Sequence, residues 1–299
     1  MTGVRDPAPS PPAARPGLGI AMVLGAALIF ALSDATSKLM VVSLPPLEVA
    51  FIRSVVMALI TVGAVIWLRG PRVLISQHPV RQGLRGLAYS MASIIFVIGL
   101  GLMPLAEISA INFIWPLLIT VFSVLLLGET VGIRRIAATM VGFVGMLIIM
   151  RPGTGAFQMA AFFPLASAVC WSLAVTMTRG MPRSEAPETT MAWSSLIMLA
   201  VTIVAVPFVW VAPRPVDLAL GVAVGLLSAF GHALVINAYR HAKASSLAPF
   251  TYIQLFFAAI CGYVYFGSVP DRWTIAGSLV IVAAGIYTIH RERVRRGED

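Results

Sequence analysis

The chain has 299 residues, 59% of them hydrophobic and only 11% charged, with a mean hydropathy of +0.93. A soluble domain carries roughly 25% charged residues, so an aqueous globular core does not account for this composition. The net charge of +9 and pI near 10.4 would suit a nucleic-acid binder. The basic residues, however, fall on alternate connections between apolar runs, which makes them a topology signal and excludes nucleic acid as a partner.

The first 16 residues, MTGVRDPAPSPPAARP, are rich in Pro and Ala and predict a disordered tail. Ten apolar stretches follow. The first runs from about Leu18 to Met40, and the others begin near Leu47, Arg81, Leu105, Ile133, Gln158, Thr189, Val216, Ser246 and Arg272. A helix needs ~20 apolar residues to cross the hydrocarbon, and only helices or closed barrels satisfy their own backbone there. The first stretch is too long, and lacks a clear cleavage site, to be a secretory signal. The expectation is an all-α integral membrane protein of ten transmembrane helices.

Every second connection holds Arg5 and Arg15, then Arg69, Arg72, Arg81 and Arg85, then Arg134 and Arg135, Arg179 and Arg183, Arg240 and Lys243, and finally Arg291, Arg293, Arg295 and Arg296. That is 16 of the 21 basic residues, and it predicts a cytoplasmic (inner) membrane protein with both termini cytoplasmic. Cys170 and Cys261 both fall inside apolar spans and form neither a disulfide framework nor a zinc site.

The chain also repeats itself. Gly128 and Gly267 lie 139 residues apart, and around them LLLGETVGIRRIAATMVGFVGMLII runs parallel to VYFGSVPDRWTIAGSLVIVAAGIYTI. Nearer the start of each half, Phe30 and Lys38 fall against Trp171 and Arg179 at an offset of 141. A duplicated unit of five helices inserts its second copy upside down, because five is odd. The predicted organisation is a tail (1–16), a first repeat (17–152), an inverted second repeat (153–290) and a basic cytoplasmic C-terminal tail (291–299). In inverted repeats the substrate site sits near the midplane between the halves.

Two such halves, each closing with a helix, a Gly(Glu) loop and a Gly/Ala-rich helix, resemble the drug/metabolite transporter superfamily in its EamA-type branch. The resemblance covers about residues 18–290 and is strongest at Gly128–Glu129. The second half departs from it, because Gly267–Ser268 has no acidic partner. The resemblance implies ten helices, alternating access and export of small metabolites, commonly amino acids.

Polar and aromatic residues at mid-span depth are the candidates for the site, since they are costly in lipid unless they face protein or water. Ser33, Asp34, Ser37 and Lys38 cluster in the first span, with Asp34 and Lys38 one turn apart. They form either an internal ion pair or a site for an ammonium or carboxylate group. Arg53 reads as a structural partner of Glu48 or Glu107. The repeat aligns Asn112 with Thr251 and Trp115 with Gln254, and Pro116 interrupts the helix beside Trp115. Asn112, Trp115 and Gln254 either face a ligand or act as interhelical glue. Trp171, Tyr89 and Tyr252 are either cavity walls or ordinary core. His232 and Asn237 lie on the eighth span, and Asp34 and His232 are the candidates for carrying a coupling proton.

No P-loop is present, so ATP does not drive this chain directly, and no HExxH or GxSxG points to an enzyme. No cofactor or metal is expected. The predicted function is secondary export of neutral or aromatic amino acids by alternating access, with small apolar or cationic drugs or other metabolites as the alternative. The partners are a small-molecule substrate, the lipid bilayer and a candidate coupling proton, in a monomer or homodimer.

Overall fold

The computed structural model describes residues 16–128, 130, 132–152, 159–182, 185–242 and 244–296. The tail expected before Pro16, Glu129 of the loop motif, Arg183 and Lys243 lie outside the described residues. The described residues form twelve α-helices: α1 (Pro16–Met40), α2 (Pro46–Arg69), α3 (Pro79–Leu102), α4 (Leu105–Asn112), α5 (Trp115–Leu127), α6 (Ile133–Met150), α7 (Phe162–Arg179), α8 (Pro187–Ala205), α9 (Pro215–His241), α10 (Ala244–Thr251), α11 (Ile253–Phe266) and α12 (Arg272–Arg296). Among the described residues, nine segments are long and apolar enough to cross a bilayer, and α6 supplies a shorter tenth, apolar from Ile136 to Met150.

Two of the expected spans are broken at their middle. The fourth is divided between α4 and α5 at Phe113–Ile114, and the ninth between α10 and α11 at Tyr252. The breaks are repeat-equivalent at the 139 offset. Pro116 lies in the first turn of α5 and Pro249 lies inside α10, so each half carries a residue without an N–H close to its break. The first break keeps its amides bonded in a tight turn, with Phe113 N–H on the Ser109 carbonyl (3.0 Å) and Ile114 N–H on that of Ile111 (3.2 Å). Both broken spans end on a left-handed glycine, Gly128 (φ 64°) and Gly267 (φ 62°), a conformation a Cβ disfavours.

The two halves pack through contacts that come in symmetry-related pairs. α1 lies along α9 as α7 lies along α3; α2 crosses α8; and α6 runs against α12. In the α2–α8 crossing, Ser54 bonds Thr202 (3.0 Å) and Thr61 bonds Ser195 (2.8 Å). At an offset of 141 the pseudo-two-fold exchanges these bonds, serine for serine and threonine for threonine. Close helix approach repeats as well. A Cβ on Gly225 of α9 would strike Val56 of α2, and one on Gly86 of α3 would strike Ile197 of α8. Gly221 meets Ile52 in the same way, so the GxxxG of the eighth span is a packing seam. The structure is thus two five-helix repeats of inverted topology.

At the end that carries the termini, the α2–α3 connection is tied to the start of α8. Glu185 accepts from the Gln77 amide (2.7 Å), Gln82 Nε2 (2.9 Å) and Ser76 Oγ (3.0 Å), while Thr189 and Trp193 donate to the Val73 and Leu74 carbonyls. Burial alone would push the Glu185 carboxyl up, but these donors outweigh it and hold the carboxyl below the usual carboxylate range. A carboxyl depressed in the folded state adds stability above its ordinary range, and that stability is lost as pH falls through the folded value. The protection factor of the Gln77 amide, its exchange relative to the intrinsic rate at each pH, should therefore fall on acidification below the ordinary carboxylate range. Glu185→Gln should abolish that pH dependence.

Candidate functional site

Five helices bring charged and polar side chains to one region between the repeats. Asp34 of α1 is half-buried and accepts a long hydrogen bond (3.5 Å) from Gln254 Nε2, in the first turn of α11. Arg53 of α2, also half-buried, donates to Ser93 of α3, and its Nε is buried without a hydrogen-bond partner. The Arg53 guanidinium acts electrostatically on Asp34, on Tyr89 of α3 and on His232 of α9, though it forms no ion pair with Asp34. These groups from α1, α2, α3, α9 and α11 lie inside the bundle, where Asp34, Arg53, His232 and Gln254 are only partly covered by their neighbours and Tyr89 is buried.

Aromatic rings wall this region on one side. Trp171 of α7 stands between Tyr89 (ring centroids 5.7 Å apart) and Trp115 of α5 (6.5 Å, edge-to-face). Trp115 and Trp171 are both half-buried. On the other side, the edge of the His232 ring meets Phe30 at 5.0 Å, and its Nδ1 lies 2.8 Å from the Ser228 carbonyl. A carbonyl only accepts, so Nδ1 carries the hydrogen and Nε2 is the nitrogen left for other partners.

Several expectations change here. Asp34 and Lys38 do not pair. Lys38 Nζ instead donates to the Leu100 (2.6 Å) and Met103 (2.7 Å) carbonyls at the end of α3 and sits over the Phe266 ring. The last carbonyls of a helix lack intrahelical partners and carry partial negative charge, which draws the ammonium. Arg53 is not the partner of either glutamate. Glu48 is buried and accepts from the Val211 amide (3.0 Å), while Glu107 feels Asp271 and the Arg151 that is ion-paired with it (2.8 Å).

Ser33 is buried against Ser228 (3.0 Å), joining α1 to α9. Asn112 donates to the Pro164 carbonyl (3.2 Å) and to Ser167 Oγ (3.1 Å), which fastens α4 to α7. Asn237 donates to the Ala233 carbonyl of its own helix. Tyr252 is buried against Phe113, and its hydroxyl lies where a Cβ on Gly285 would fall. The structure therefore gathers Asp34, Tyr89, Trp115, Trp171, His232 and Gln254 into one region and places Ser33, Asn112, Asn237 and Tyr252 in the packing around it. Sequence reasoning did not place Arg53 beside Asp34, Tyr89 and His232, although a cation two turns inside an apolar helix is itself a signal to consider.

The comparisons with known proteins decide the family. The model of the EamA-like transporter family matches this chain twice, over residues 17–151 and 158–290. The chain belongs to the EamA-like transporter family. It is a multi-pass membrane transporter of the drug/metabolite superfamily and not an enzyme. It is 24% identical over 275 residues to an S-adenosylmethionine uptake transporter of Rickettsia prowazekii (strain Madrid E), covering 92% of this chain and 93% of that one. It is 28% identical to the pseudopaline exporter CntI of Pseudomonas aeruginosa (strain UCBPP-PA14), over 90% and 94% of the two chains. A riboflavin transporter of Rhizobium johnstonii is 29% identical over 74% of this chain and 73% of its own. A solved structure 19% identical superposes with a TM-score of 0.63, over 94% of this chain and 98% of that one, and so shares the fold.

Interhelical hydrogen bonds in membranes average about 0.6 kcal/mol each. Asn112→Ala should thus cost the transporter about 1–2 kcal/mol, read as a lower Tm in detergent. An unchanged Tm with weakened solute binding would return Asn112 to the site.

Proposed function

We propose that this transporter carries an amino-acid-derived solute bearing a carboxylate, a cationic group and a flat ring, with S-adenosylmethionine as the leading candidate. The observation that carries the reading is the placement of Asp34 and Arg53 in one region, electrostatically coupled yet not ion-paired, beside the Tyr89–Trp171–Trp115 wall. Arg53 suits the carboxylate, since its buried Nε still has a hydrogen to donate. Asp34 suits an ammonium or sulfonium, and the rings suit a planar base or a cation over their faces. Relatives of nearly full length with named S-adenosylmethionine uptake support this choice over the plain neutral or aromatic amino acids expected from sequence.

Phosphate-rich solutes fit poorly. Lys38 is engaged with the end of α3, and Arg85 bonds Thr178, Ser194 and the Thr190 carbonyl, which leaves Arg53 as the central cation among the described residues. We assign alternating access in the cytoplasmic membrane, with the basic-rich ends of the helices facing the cytoplasm. A carrier of this kind is reversible, so the solute gradient and any coupled proton set its direction. Relatives named for uptake and for export are both compatible with that. Asp34 is the group placed to exchange a proton for the solute's cation, with His232 as the second titratable side chain of the region.

The test is labelled counterflow in liposomes, with and without a pH gradient, using S-adenosylmethionine, riboflavin and the large neutral and aromatic amino acids. Saturable exchange of S-adenosylmethionine is expected. Arg53→Gln should reduce it about tenfold or more, as loss of a charge-assisted hydrogen bond does, while leaving a carboxylate-free analogue less affected. Exchange of riboflavin alone would replace the charged solute with a neutral ring. Exchange confined to amino acids would restore the simpler substrate class.

A further inference from the structure

An inverted repeat can reach its second state by letting each half adopt the other's conformation. Contacts that the symmetry exchanges with one another then survive the switch, and a contact without a mate belongs to one state only. In the first class are the exchanged bonds Ser54–Thr202 and Thr61–Ser195, and the ties from the starts of α2 and α8 to the opposite connections, Glu48 to the Val211 amide and Thr189 to the Val73 carbonyl.

The second class includes a set of contacts between helices distant in sequence at one end of the bundle. At the end away from the termini, α4 packs on α11 and α1 meets both α3 and α4. At the termini end, the equivalent pairs, α5 with α10 and α7 with α9 or α10, do not pack to the same extent among the described residues. The most specific member of this class is Lys38, which holds the end of α1 to the last carbonyls of α3. Its mate is Arg179, the last residue of α7, which is exposed and makes no hydrogen bond or ion pair among the described residues.

The partner that Arg179 would need is already formed. α3 ends on Met103 (φ −135°, ψ 156°) and α9 on Ala242 (φ −149°, ψ 155°), 139 residues later, each with its amide on the carbonyl four residues back. The carbonyls equivalent to those of Leu100 and Met103 are those of Tyr239 and Ala242. Arginine and lysine both donate to helix-end carbonyls and both favour the negative end of the dipole.

We propose that Lys38 and Arg179 are alternating latches. Lys38 on the end of α3 closes the far end of the central region, and Arg179 on the end of α9 closes the termini end in the opposite state. The structure is then the state closed at the far end and open toward the termini. The proposal rests on the alternating-access reading above.

The experiment uses nitroxide spin labels on cysteines introduced after Cys170→Ala and Cys261→Ala, with the protein in lipid nanodiscs. Val42→Cys with Leu102→Cys reports the α1–α3 separation, and Gly180→Cys with His241→Cys reports α7–α9. Distance distributions by double electron–electron resonance should show two populations for each pair. Lys38→Met should move the ratio of states about tenfold away from the one closed at the far end, as expected for charge-assisted hydrogen bonds. Lys38→Arg should leave the ratio near that of the parent protein. Arg179→Met, at an exposed position that does not threaten folding, should move the ratio about tenfold the other way. Two populations whose ratio neither methionine variant changes would overturn the latches and leave alternating access standing. A single population for both pairs, with and without transported solute, would overturn both.

Discussion

Hydrocarbon offers no hydrogen-bond partners, and every other feature of this transporter follows from that constraint. Each backbone group must be satisfied within its own helix or by a neighbouring one, so the chain crosses as helices. The two interruptions, at Phe113–Ile114 and Tyr252, occur where other helices surround them. Polar side chains are confined in the same way. Most of the buried hydroxyls bond a carbonyl of the preceding turn or a hydroxyl across a helix pair, as Ser54, Thr61, Ser195 and Thr202 do. Against that background, the half-buried Asp34, Arg53 and His232 stand out as groups whose capacity is not exhausted by packing.

The repeat adds a second layer of organisation. A single helix pair such as α2–α8 presents identical chemistry above and below the pseudo-two-fold, so it offers no preference between the two states. The preference resides in contacts the symmetry does not duplicate. A small energetic difference at the helix ends is sufficient to choose a state, because about 1.4 kcal/mol is a tenfold change in population. A dense, symmetric seam and a few asymmetric end contacts therefore divide the work of holding the halves together and of letting them switch.

Much of this architecture was legible in the sequence because it rests on one-dimensional signals. Ten apolar runs, the Gly128–Gly267 spacing and the arginines on alternate connections carry the helix count and the inverted repeat. The breaks were half-visible: Pro116 marked the first, but Pro249 stands three residues before the second and reads as an ordinary helical position. Side-chain direction was not legible. Asp34 and Lys38 are one turn apart, and spacing alone pairs them; the outcome depended on α3 ending within reach of Lys38, which is a tertiary fact. Asn112 reads as either a ligand group or interhelical glue because an amide at mid-depth needs a partner, and sequence alone does not reveal that α7 supplies one. Arg53 was assigned to Glu48 or Glu107 because all three lie toward the same end of their helices. The glutamates are instead claimed by the Val211 amide and by the Arg151–Asp271 neighbourhood.

The charge content of the central region argues for the class of solute more strongly than its aromatic wall does. Tryptophan and tyrosine accept almost any flat or apolar body, so the wall gives affinity with little discrimination. A single carboxylate and a single guanidinium, coupled through space yet not in contact, have no net charge between them. A solute bearing only a cation would satisfy Asp34 and leave Arg53 poorly compensated in a medium that penalises unpaired charge. A purely anionic solute would do the reverse. A solute with both a carboxylate and a cation satisfies both at once; a zwitterionic amino acid adds no net charge as it crosses, whereas S-adenosylmethionine, with an ammonium and a sulfonium against one carboxylate, adds one positive charge beside Asp34. That pairing of Arg53 with a carboxylate and Asp34 with a cation holds whether the rest of the solute is an amino-acid side chain or a larger nucleoside-like group, and the rings of Tyr89, Trp171 and Trp115 lie where they would engage the latter.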